Sequence, residues 1–489
     1  MWSQTRSYNM SEESLIQIGA KQTASAGCGT HAHELIEPSG SHAVRVPGAE
    51  LKGVYIHTFG CQMNVYDSEK LGVLLENTHQ PVSKPEDADL ILINTCSIRE
   101  KAEHKLYSLV GGLRSLKEKN TDLLIGVGGC VAQQEGAEII KRAPLVDFVF
   151  GTHNLSLVPA LIQNIQKGAG KQVAVDYRED WETLPLHGPT GRASAFITIS
   201  RGCNKNCAYC IVPTTRGPEV SRPIAEILQE VRLAATRGVR EVTLLGQTVN
   251  SYGLDLSPRM KFSQLLEKVA EVDGIDRIRF TSPHPQEIRD DFFRILHDNP
   301  KVCRHVHMPM QSGSDRVLKA MNRNYRMKKF HRIVEGLRDA CPSVAITTDI
   351  IVGFPGETEE EFRETLKAMN EIRFDSSYSF AFSPRPGTEA ERLSEQLPES
   401  VKRERLLELQ ALQQDHTAEK LTAWIGQETE VLIDGFVKSN PELVQGRNSQ
   451  NILIHLEQPE EDLGPGMMTK VRITRSSRYT LHGARIAPC

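Results

Sequence analysis

The sequence predicts an α/β protein built from a parallel-sheet α/β domain, a partial (βα)6 barrel and a small all-β barrel. Between residues 53 and 382, short apolar runs alternate with longer amphipathic stretches, a pattern typical of parallel strands joined by crossover helices. Beyond residue 421 the helical patterns give way to short strand-like runs separated by Gly and Pro. A chain of 489 residues is long enough for about two to four such domains.

Composition narrows the class of protein. Charged residues make up 25% and hydrophobic residues 39% of the chain, as in soluble globular proteins, and no apolar run approaches the roughly 20 residues that span a membrane. The net charge of −4 requires any nucleic-acid contact to come from local patches. Residues 1–50 are polar and lack a secretory apolar core, so we expect a disordered extension and a cytoplasmic protein.

The first domain is expected over residues 51–166, before a polar linker at 167–192. Crossover connections between parallel strands are right-handed, so the carboxyl ends of successive strands meet at one edge of the sheet. The apolar runs and the amphipathic stretches between them predict strands at 54–58, 90–94, 123–127 and 146–150, and helices at 65–76, 98–117 and 133–142.

Three cysteines lie at the ends of these predicted strands. Cys61, Cys96 and Cys130 are separated by intervals of 35 and 34 residues, which are too long for a local metal loop. One strand–helix unit per interval nevertheless brings all three to the crevice where open α/β sheets bind cofactors. Buried cysteines also serve as small apolar residues, but the repeated position favours a shared iron–sulfur site. Gly60, Gly128 and Gly129 would let the backbone approach such a cluster closely.

The central barrel is expected over residues 193–420. Six strand–helix units predict a barrel open at one side, with functional loops at the carboxyl ends of its strands. Segments 215–217, 244–250, 282–285 and 310–313 are expected near its mouth, and a helix over 400–419 closes the barrel or links it onward. The predicted strands are 195–200, 241–245, 277–281, 305–308, 345–352 and 376–382, and helices include 224–237, 262–272 and 328–340.

A second group of cysteines follows the first barrel strand. Cys203, Cys207 and Cys210 form a C-x3-C-x2-C motif. Three thiolates can hold three irons of a [4Fe–4S] cluster and leave the fourth iron open. This spacing indicates radical S-adenosylmethionine (SAM) chemistry, in which the open iron binds SAM and a 5′-deoxyadenosyl radical results. A zinc knuckle would use C-x2-C pairs and a fourth ligand, which does not follow nearby. The motif therefore predicts an enzyme.

Two further residues are candidates for binding SAM. Tyr209 directly precedes Cys210 and is expected to meet the adenine of SAM. Gly353 ends the fifth barrel strand and would either let SAM approach the backbone or simply form a turn. The acidic residues 357–361 are expected to form a solvated helix start, and no catalytic residue is assigned beyond the cluster ligands. The remaining cysteines are expected to be structural or incidental: Cys28, Cys303, Cys341 and Cys489.

The C-terminal module is expected over residues 421–489. Strand-like runs at 429–436, 443–446, 451–455 and 468–474 predict a small all-β barrel of a kind that often binds RNA. Its last stretch is basic, and arginines beside an exposed aromatic ring can pair with phosphates and stack on bases. An ordinary solvated strand face is the open alternative. The residues concerned are Lys470, Arg472, Arg475, Arg478, Tyr479 and Arg485.

From about residue 51 the chain resembles the methylthiotransferase family of radical SAM enzymes, and within it the tRNA-modifying, MiaB-type branch. The C-terminal module is similar to a TRAM domain. The motifs that carry the resemblance are TFGCQMN at 58–64, NTCSIREKA at 94–102, GGCVAQ at 128–133, RGCNKNCAYC at 201–210 and SPRPGTEA at 383–390.

The resemblance implies an activity, namely 2-methylthiolation of N6-isopentenyladenosine at position 37 of tRNA, beside the anticodon. It implies two [4Fe–4S] clusters, with Cys61, Cys96 and Cys130 holding an auxiliary cluster that supplies the sulfur, and SAM at the other cluster. The expected partners are the tRNA anticodon loop and an electron donor such as flavodoxin or ferredoxin. The protein is expected to act as a monomer away from any membrane.

Three alternatives stay open. One sister activity methylthiolates threonylcarbamoyl-adenosine in tRNA, and another acts on an aspartate of a ribosomal protein. The sequence SIRE at 97–100 and the basic terminal strand favour an RNA substrate. A non-catalytic iron–sulfur regulator that binds RNA is a different class of protein.

Overall fold

The computed structural model describes residues 51–97, 101–178, 181, 184–186, 188–189, 191–437, 440–457 and 463–486. Several predictions concern residues outside these ranges. They are the disordered extension over 1–50 with Cys28, the segment 98–100 of the SIRE motif, and Cys489.

The N-terminal domain is a parallel sheet of six strands within the described ranges, in the order β2-β1-β3-β4-β5-β6. The apolar run of β3 is buried on both faces, as expected for a strand covered by helices on each side. The strands are β1 (Lys52–Thr58), β2 (His79–Pro81), β3 (Leu90–Thr95), β4 (Leu124–Gly129), β5 (Phe148–Phe150) and β6 (Gln172–Ala174). The helices are Gln62–Leu75, Lys101–Gly112, Arg114–Lys119, Cys130–Glu135, Ala137–Arg142 and Val158–Gln166.

Four of these strands match the predicted ones, whereas β2 and β6 were not predicted. Each has only three residues, too few to show a periodic pattern. Strand β6 lies inside the segment expected to be a linker.

The central domain confirms the predicted partial barrel of six parallel strands. Strands β7, β10 and β11 form one parallel sheet and β12, β13 and β14 another, joined by a bridge between Ile278 and Val302. The strands are β7 (Ser194–Thr198), β8 (Ser200–Arg201), β9 (Val220–Ser221), β10 (Glu241–Leu245), β11 (Arg277–Phe280), β12 (His305–His307), β13 (Ala345–Val352) and β14 (Ser376–Ala381). The helices are Val212–Arg216, Ile224–Thr236, Phe262–Ala270, Asp290–Asp298, Asp315–Ala320, Met327–Ala340, Glu359–Ile372 and Glu399–Thr422.

The C-terminal part is a closed barrel in the order β15-β16-β17-β19-β18. Val431, Val444, Ile454 and Val471 fill its core. The strands are β15 (Glu428–Val437), β16 (Asn440–Arg447), β17 (Leu453–Glu457), β18 (Met468–Ser476) and β19 (Leu481–Arg485). Strand β19 was not predicted, because its central glycine and short length weaken the strand pattern. In the part of the chain that the structure describes, no helix has the length and apolar character needed to cross a membrane.

The C-terminal barrel docks at the amino-terminal edge of the central strands. Arg277, the first residue of β11, donates to the carbonyl oxygens of Arg447 (2.6 Å) and Glu430 (2.8 Å). Arg279 donates to the carbonyl oxygen of Asn448 at 2.7 Å. The loop with Cys203, Cys207 and Cys210 follows the carboxyl ends of the first strands, so it lies at the opposite edge.

Candidate functional site

The N-terminal thiols lie together at the carboxyl edge of the first sheet. Cys61 immediately precedes the helix Gln62–Leu75, Cys96 follows β3, and Cys130 begins the short helix after β4. The strands before them, β1, β3 and β4, are neighbours in the sheet. The Cys61 thiol is hydrogen-bonded to Cys96 and interacts electrostatically with Cys130. The structure therefore brings together the three cysteines that the sequence placed at strand ends.

Two glycines make this grouping sterically possible. Gly60 has φ +104°, and a Cβ there would lie 2.7 Å from Cys96 Sγ. Gly129 has φ +90°, and a Cβ there would lie 2.2 Å from the carbonyl oxygen of Thr95. Both the left-handed backbone and the lack of space require glycine. The thiol grouping thus depends on two residues without side chains.

Asn64 fixes the chain next to two of these thiols. Its Nδ2 donates to the carbonyl oxygen of Phe59 at 2.9 Å and to that of Thr95 at 2.7 Å. Phe59 lies two residues before Cys61, and Thr95 directly precedes Cys96. Asn64 was not among the predicted site residues. Its position one helical turn after a strand-end cysteine was the available signal.

A buried arginine from the central domain reaches the same site. Arg216 Nη2 donates to Asn64 Oδ1 and to Asp67 Oδ2, both at 2.9 Å. The segment 215–217 was expected near the barrel mouth, whereas this side chain turns toward the N-terminal thiols. No sequence pattern predicts this contact, since Arg216 and Asn64 are 152 residues apart in the chain.

The environment moves the thiol pKa values in opposite directions. A hydrogen bond with Cys96, helped by the charge of Arg216, lowers the pKa of Cys61 to about 6 against the effect of burial. Burial raises the pKa of Cys130, and the Arg216 guanidinium opposes that rise. Since the thiolate is the form that binds metals, Cys61 is prepared for ligation at neutral pH.

The second set of thiols occupies the loop after β8. Cys203 Sγ lies 3.4 Å from Thr248 Oγ1, and Arg323 Nη1 donates to Cys207 Sγ at 3.5 Å. Cys203 and Cys207 both influence Cys210 electrostatically, although burial is the main reason that the pKa of Cys210 rises to about 12. Thr248 falls within the predicted segment 244–250, and Arg323 was not predicted.

Each set has the three thiols that a [4Fe–4S] cluster with one open iron requires. In a [4Fe–4S] cubane each thiolate binds a different iron, so the sulfur atoms need not converge on one point. Across the described ranges, no three His, Cys, Asp or Glu side chains are spaced to hold one metal ion, and all six thiols are free of disulfides.

The carboxyl edge of the central barrel also offers polar atoms to a ligand. Ser200 Oγ, Gln247 Oε1 and Gln311 Oε1 are buried and lack a hydrogen-bond partner within the described part of the chain. Buried polar groups of this kind are rare unless something binds them. Ser200 lies two residues beyond β7, and Gln247 and Gln311 follow β10 and β12. The site therefore has donors and acceptors left over for a polar cofactor.

Local packing accounts for Gly353, one of the two residues predicted to bind SAM. Gly353 has φ +71°, its N–H donates to Glu357 Oε2 at 2.6 Å, and a Cβ would lie 2.5 Å from Lys402 Cγ. Glu357 is buried and paired with Arg405 at 2.8 Å, so the expectation that this acidic segment is solvated was wrong there. A role of Gly353 toward SAM stays a prediction.

Tyr209, the other residue predicted to bind SAM, lies against an apolar cluster. Phe354, Phe382 and Val317 belong to this cluster. Burial raises the pKa of the Tyr209 phenol. Tyr209 lies between Cys207 and Cys210 in the sequence. Contact of its ring with the adenine of SAM stays a prediction.

Sequence comparisons find two families in the chain. The radical SAM superfamily matches residues 197–369, and the Uncharacterized protein family UPF0004 matches residues 53–151. The first match contains Cys203, Cys207 and Cys210, and the second contains Cys61, Cys96 and Cys130. Each set of thiols thus belongs to a different family segment.

Curated relatives cover most of the chain. The tRNA-2-methylthio-N(6)-dimethylallyladenosine synthase of Syntrophus aciditrophicus is 44% identical over 435 residues, which are 88% of this chain and 94% of the relative. The synthase of the same name from Geobacter metallireducens is 45% identical over 436 residues, or 88% and 98% of the two chains.

A solved structure shares the fold. The radical S-adenosylmethionine methyltransferase TsrM from Kitasatospora setae, with cobalamin and a [4Fe-4S] cluster bound, superposes with a TM-score of 0.52 and 14% identity. The match covers 70% of this chain and 74% of that chain. At this identity the likeness concerns the fold alone.

Proposed function

This chain belongs to the family of tRNA-2-methylthio-N6-dimethylallyladenosine synthases, and we propose from that membership that it 2-methylthiolates N6-isopentenyladenosine in tRNA. The dimethylallyl group of the family name is the isopentenyl group of this substrate. The observation that carries the proposal is the presence of two groups of three thiols, Cys61/Cys96/Cys130 and Cys203/Cys207/Cys210. The short segment 210–216 connects them, since it begins at Cys210 of the second group and ends at Arg216, which contacts Asn64 beside the first group. We assign the second group to the cluster that binds SAM and the first group to the cluster that supplies sulfur.

The radical SAM family implies SAM and a [4Fe–4S] cluster, and we assign Cys203, Cys207 and Cys210 as its ligands. When bound, this cluster and SAM supply a radical that removes the unactivated hydrogen from C2 of the adenine. Thr248 and Arg323 support the thiol loop by their contacts with Cys203 and Cys207.

We assign the second cluster to Cys61, Cys96 and Cys130. Three thiolate ligands would leave one iron open to a sulfur ligand. Asn64 holds the chain before Cys61 and Cys96, and the low pKa of Cys61 favours the thiolate that iron requires. These side chains would hold the cluster that supplies the sulfur.

The tRNA must present its modified adenosine as a splayed anticodon-loop base, the form of RNA that proteins read with specificity. The C-terminal barrel offers exposed Lys470 and Arg475, and Arg478 lies over the ring of Tyr479 at 5.1 Å. Such side chains bind phosphates and stack on bases. An electron donor of the flavodoxin or ferredoxin kind, a monomeric state and a cytoplasmic location complete the proposal.

The proposal is tested by separating SAM cleavage from sulfur insertion. The anaerobically reconstituted protein is incubated with SAM, dithionite and an isopentenylated tRNA, and both 5′-deoxyadenosine and methylthiolated product are measured. Cys61→Ala is expected to keep SAM cleavage, to lose the methylthiolated product, and to reduce the iron content from about eight to about four per chain.

Cys341→Ala is the matched control, since Cys341 is a buried thiol in the core of the central domain. It is expected to retain both products and the full iron content. Wild-type methylthiolation by Cys61→Ala would refute the assignment of the second cluster. Product on threonylcarbamoylated tRNA or on a ribosomal peptide in place of isopentenylated tRNA would reassign the substrate.

A further inference from the structure

We infer that Arg216 is a positioning residue of the N-terminal thiol site, and that its guanidinium raises the reduction potential of the cluster held there. The inference rests on the proposed function, because it concerns the cluster assigned to Cys61, Cys96 and Cys130. It adds that the central domain, through Arg216, completes a site otherwise built from the N-terminal domain.

The first support is the geometry of the guanidinium. Arg216 is buried, and its Nη2 donates to both Asn64 Oδ1 and Asp67 Oδ2 at 2.9 Å. Asn64 in turn donates to the carbonyl oxygens of Phe59 and Thr95. Arg216 thus holds a side chain that ties together the chain segments leading to Cys61 and Cys96.

The second support is charge. An arginine side chain stays protonated in proteins, and this one acts electrostatically on both the Cys130 and the Cys61 thiols. A positive charge and hydrogen bonds near cluster sulfurs favour the reduced, more negative cluster and raise its potential. The Asp67 carboxylate, which shares the same Nη2, opposes part of this effect.

The third support is the anchoring of the segment that carries Arg216. The helix Val212–Arg216 begins two residues after Cys210, and the carbonyl oxygen of Thr215 accepts a hydrogen bond from Thr152 Oγ1 at 2.7 Å. The segment is therefore fixed to the N-terminal domain directly beside the guanidinium. One stretch of chain places Cys210 in one thiol group and Arg216 beside the other.

The test is a redox titration of both clusters, followed by electron paramagnetic resonance, in the full-length reconstituted protein. Arg216→Gln is expected to shift the equilibrium of the second cluster about tenfold toward the oxidised form, which lowers its potential by about 59 mV for one electron. Asp67→Asn is expected to shift the same potential upward, because it leaves the guanidinium without its counter-charge. The potential of the SAM-binding cluster is expected to stay unchanged in both.

Arg222→Gln is the matched control. Arg222 is also a buried arginine at the contact between the two domains, but it pairs with Glu230 and Glu226 and no contact with a thiol is found for it among the described residues. It is expected to lower thermal stability and to leave the potential of the second cluster at the wild-type value.

Shifts of the second cluster's potential in opposite directions in Arg216→Gln and Asp67→Asn would support the inference. A general loss of structure would not be expected to change the direction of the shift with the sign of the removed charge. A fully iron-loaded Arg216→Gln with the wild-type potential would overturn it. If Arg216→Gln fails to assemble the second cluster, the test rests on Asp67→Asn. An unchanged or lowered potential of the second cluster in Asp67→Asn would then overturn the inference. Wild-type protein with a single cluster would instead refute the proposed function, independently of these variants.

Discussion

Cys61 and Cys210 show how far two thiols in one protein can differ. A hydrogen bond with Cys96 and the nearby Arg216 charge lower the pKa of Cys61 to about 6. The pKa of Cys210 is raised to about 12, chiefly by burial. Hydrogen bonding to the charged form favours the thiolate, whereas burial disfavours it. The same residue type is therefore prepared differently at the two thiol groups.

The difference predicts a pH-dependent reactivity. In the iron-free protein, a thiol with a lowered pKa is deprotonated above that pKa, so alkylation of Cys61 by iodoacetamide is expected to rise with a midpoint near pH 6. Cys210 is expected to stay unreactive at neutral pH. Quantitative mass spectrometry of the alkylated peptides over a pH series measures both. Cys96→Ala removes the hydrogen bond and should move the Cys61 midpoint toward 9.0, its unperturbed value; a wild-type midpoint already near that value would contradict the prediction.

At the scale of elements, two helices from different domains share a buried ion network. Lys70, on the helix Gln62–Leu75, donates from Nζ to Glu230 Oε1 at 2.5 Å, and both side chains are fully buried. Glu230, on the helix Ile224–Thr236, also accepts from Arg222 and from the Tyr66 hydroxyl. Buried charges are tolerated only when they are paired and hydrogen-bonded. The network holds the N-terminal domain in a fixed position on the central one.

Glu230→Gln is expected to destabilise this interface strongly. It removes the carboxylate that pairs with Lys70 and leaves Arg222 with only the partly exposed Glu226, and removal of one partner from a buried ion pair costs about 3–5 kcal/mol. The thermal unfolding midpoint, followed by circular dichroism, should fall by several degrees. The matched control is Glu226→Gln on the same helix, since Glu226 is 33% exposed where it pairs with Arg222, and exposed pairs contribute at most about 1 kcal/mol. Equal midpoints for the two variants would show that the buried network is not needed.

At the scale of the whole molecule, the C-terminal barrel and the thiols lie at opposite edges of the central strands. Arg277 and Arg279 fix the C-terminal barrel to the amino-terminal edge through carbonyl oxygens of Arg447 and Asn448. The thiol loops occupy the carboxyl edge, where α/β barrels place their active sites. A tRNA that uses both must therefore extend along the central domain.

Arg279→Ala is expected to loosen the C-terminal barrel. The change removes the donor to Asn448 O and the 2.9 Å ion pair with Glu241, and each buried group left unpaired costs about 1–3 kcal/mol. Proteolysis at the connection 423–427 should accelerate about tenfold or more, and tRNA affinity should fall while iron content stays unchanged. Arg240→Ala is the control, since Arg240 is 42% exposed in its pair with Asp276; cleavage of Arg279→Ala at the control rate would contradict this role.

The sequence by itself determined the elements and residues whose signals are local. The apolar runs of β3 and β13 and the periodicity of the amphipathic helices can be recognised within short stretches of sequence. The C-x3-C-x2-C motif likewise lies within a single loop. The regular placement of Cys61, Cys96 and Cys130 after strands also followed, because parallel strands end at one edge.

Only the tertiary structure decided which distant side chains complete these sites. Arg216 meets Asn64 across 152 residues of chain, and Arg279 meets Asn448 across 169. The low pKa of Cys61 likewise depends on Cys96 and Arg216, which other strands and another domain supply. Hydrogen bonds and charges of this kind depend on distances in space, and no periodicity along the chain encodes those distances.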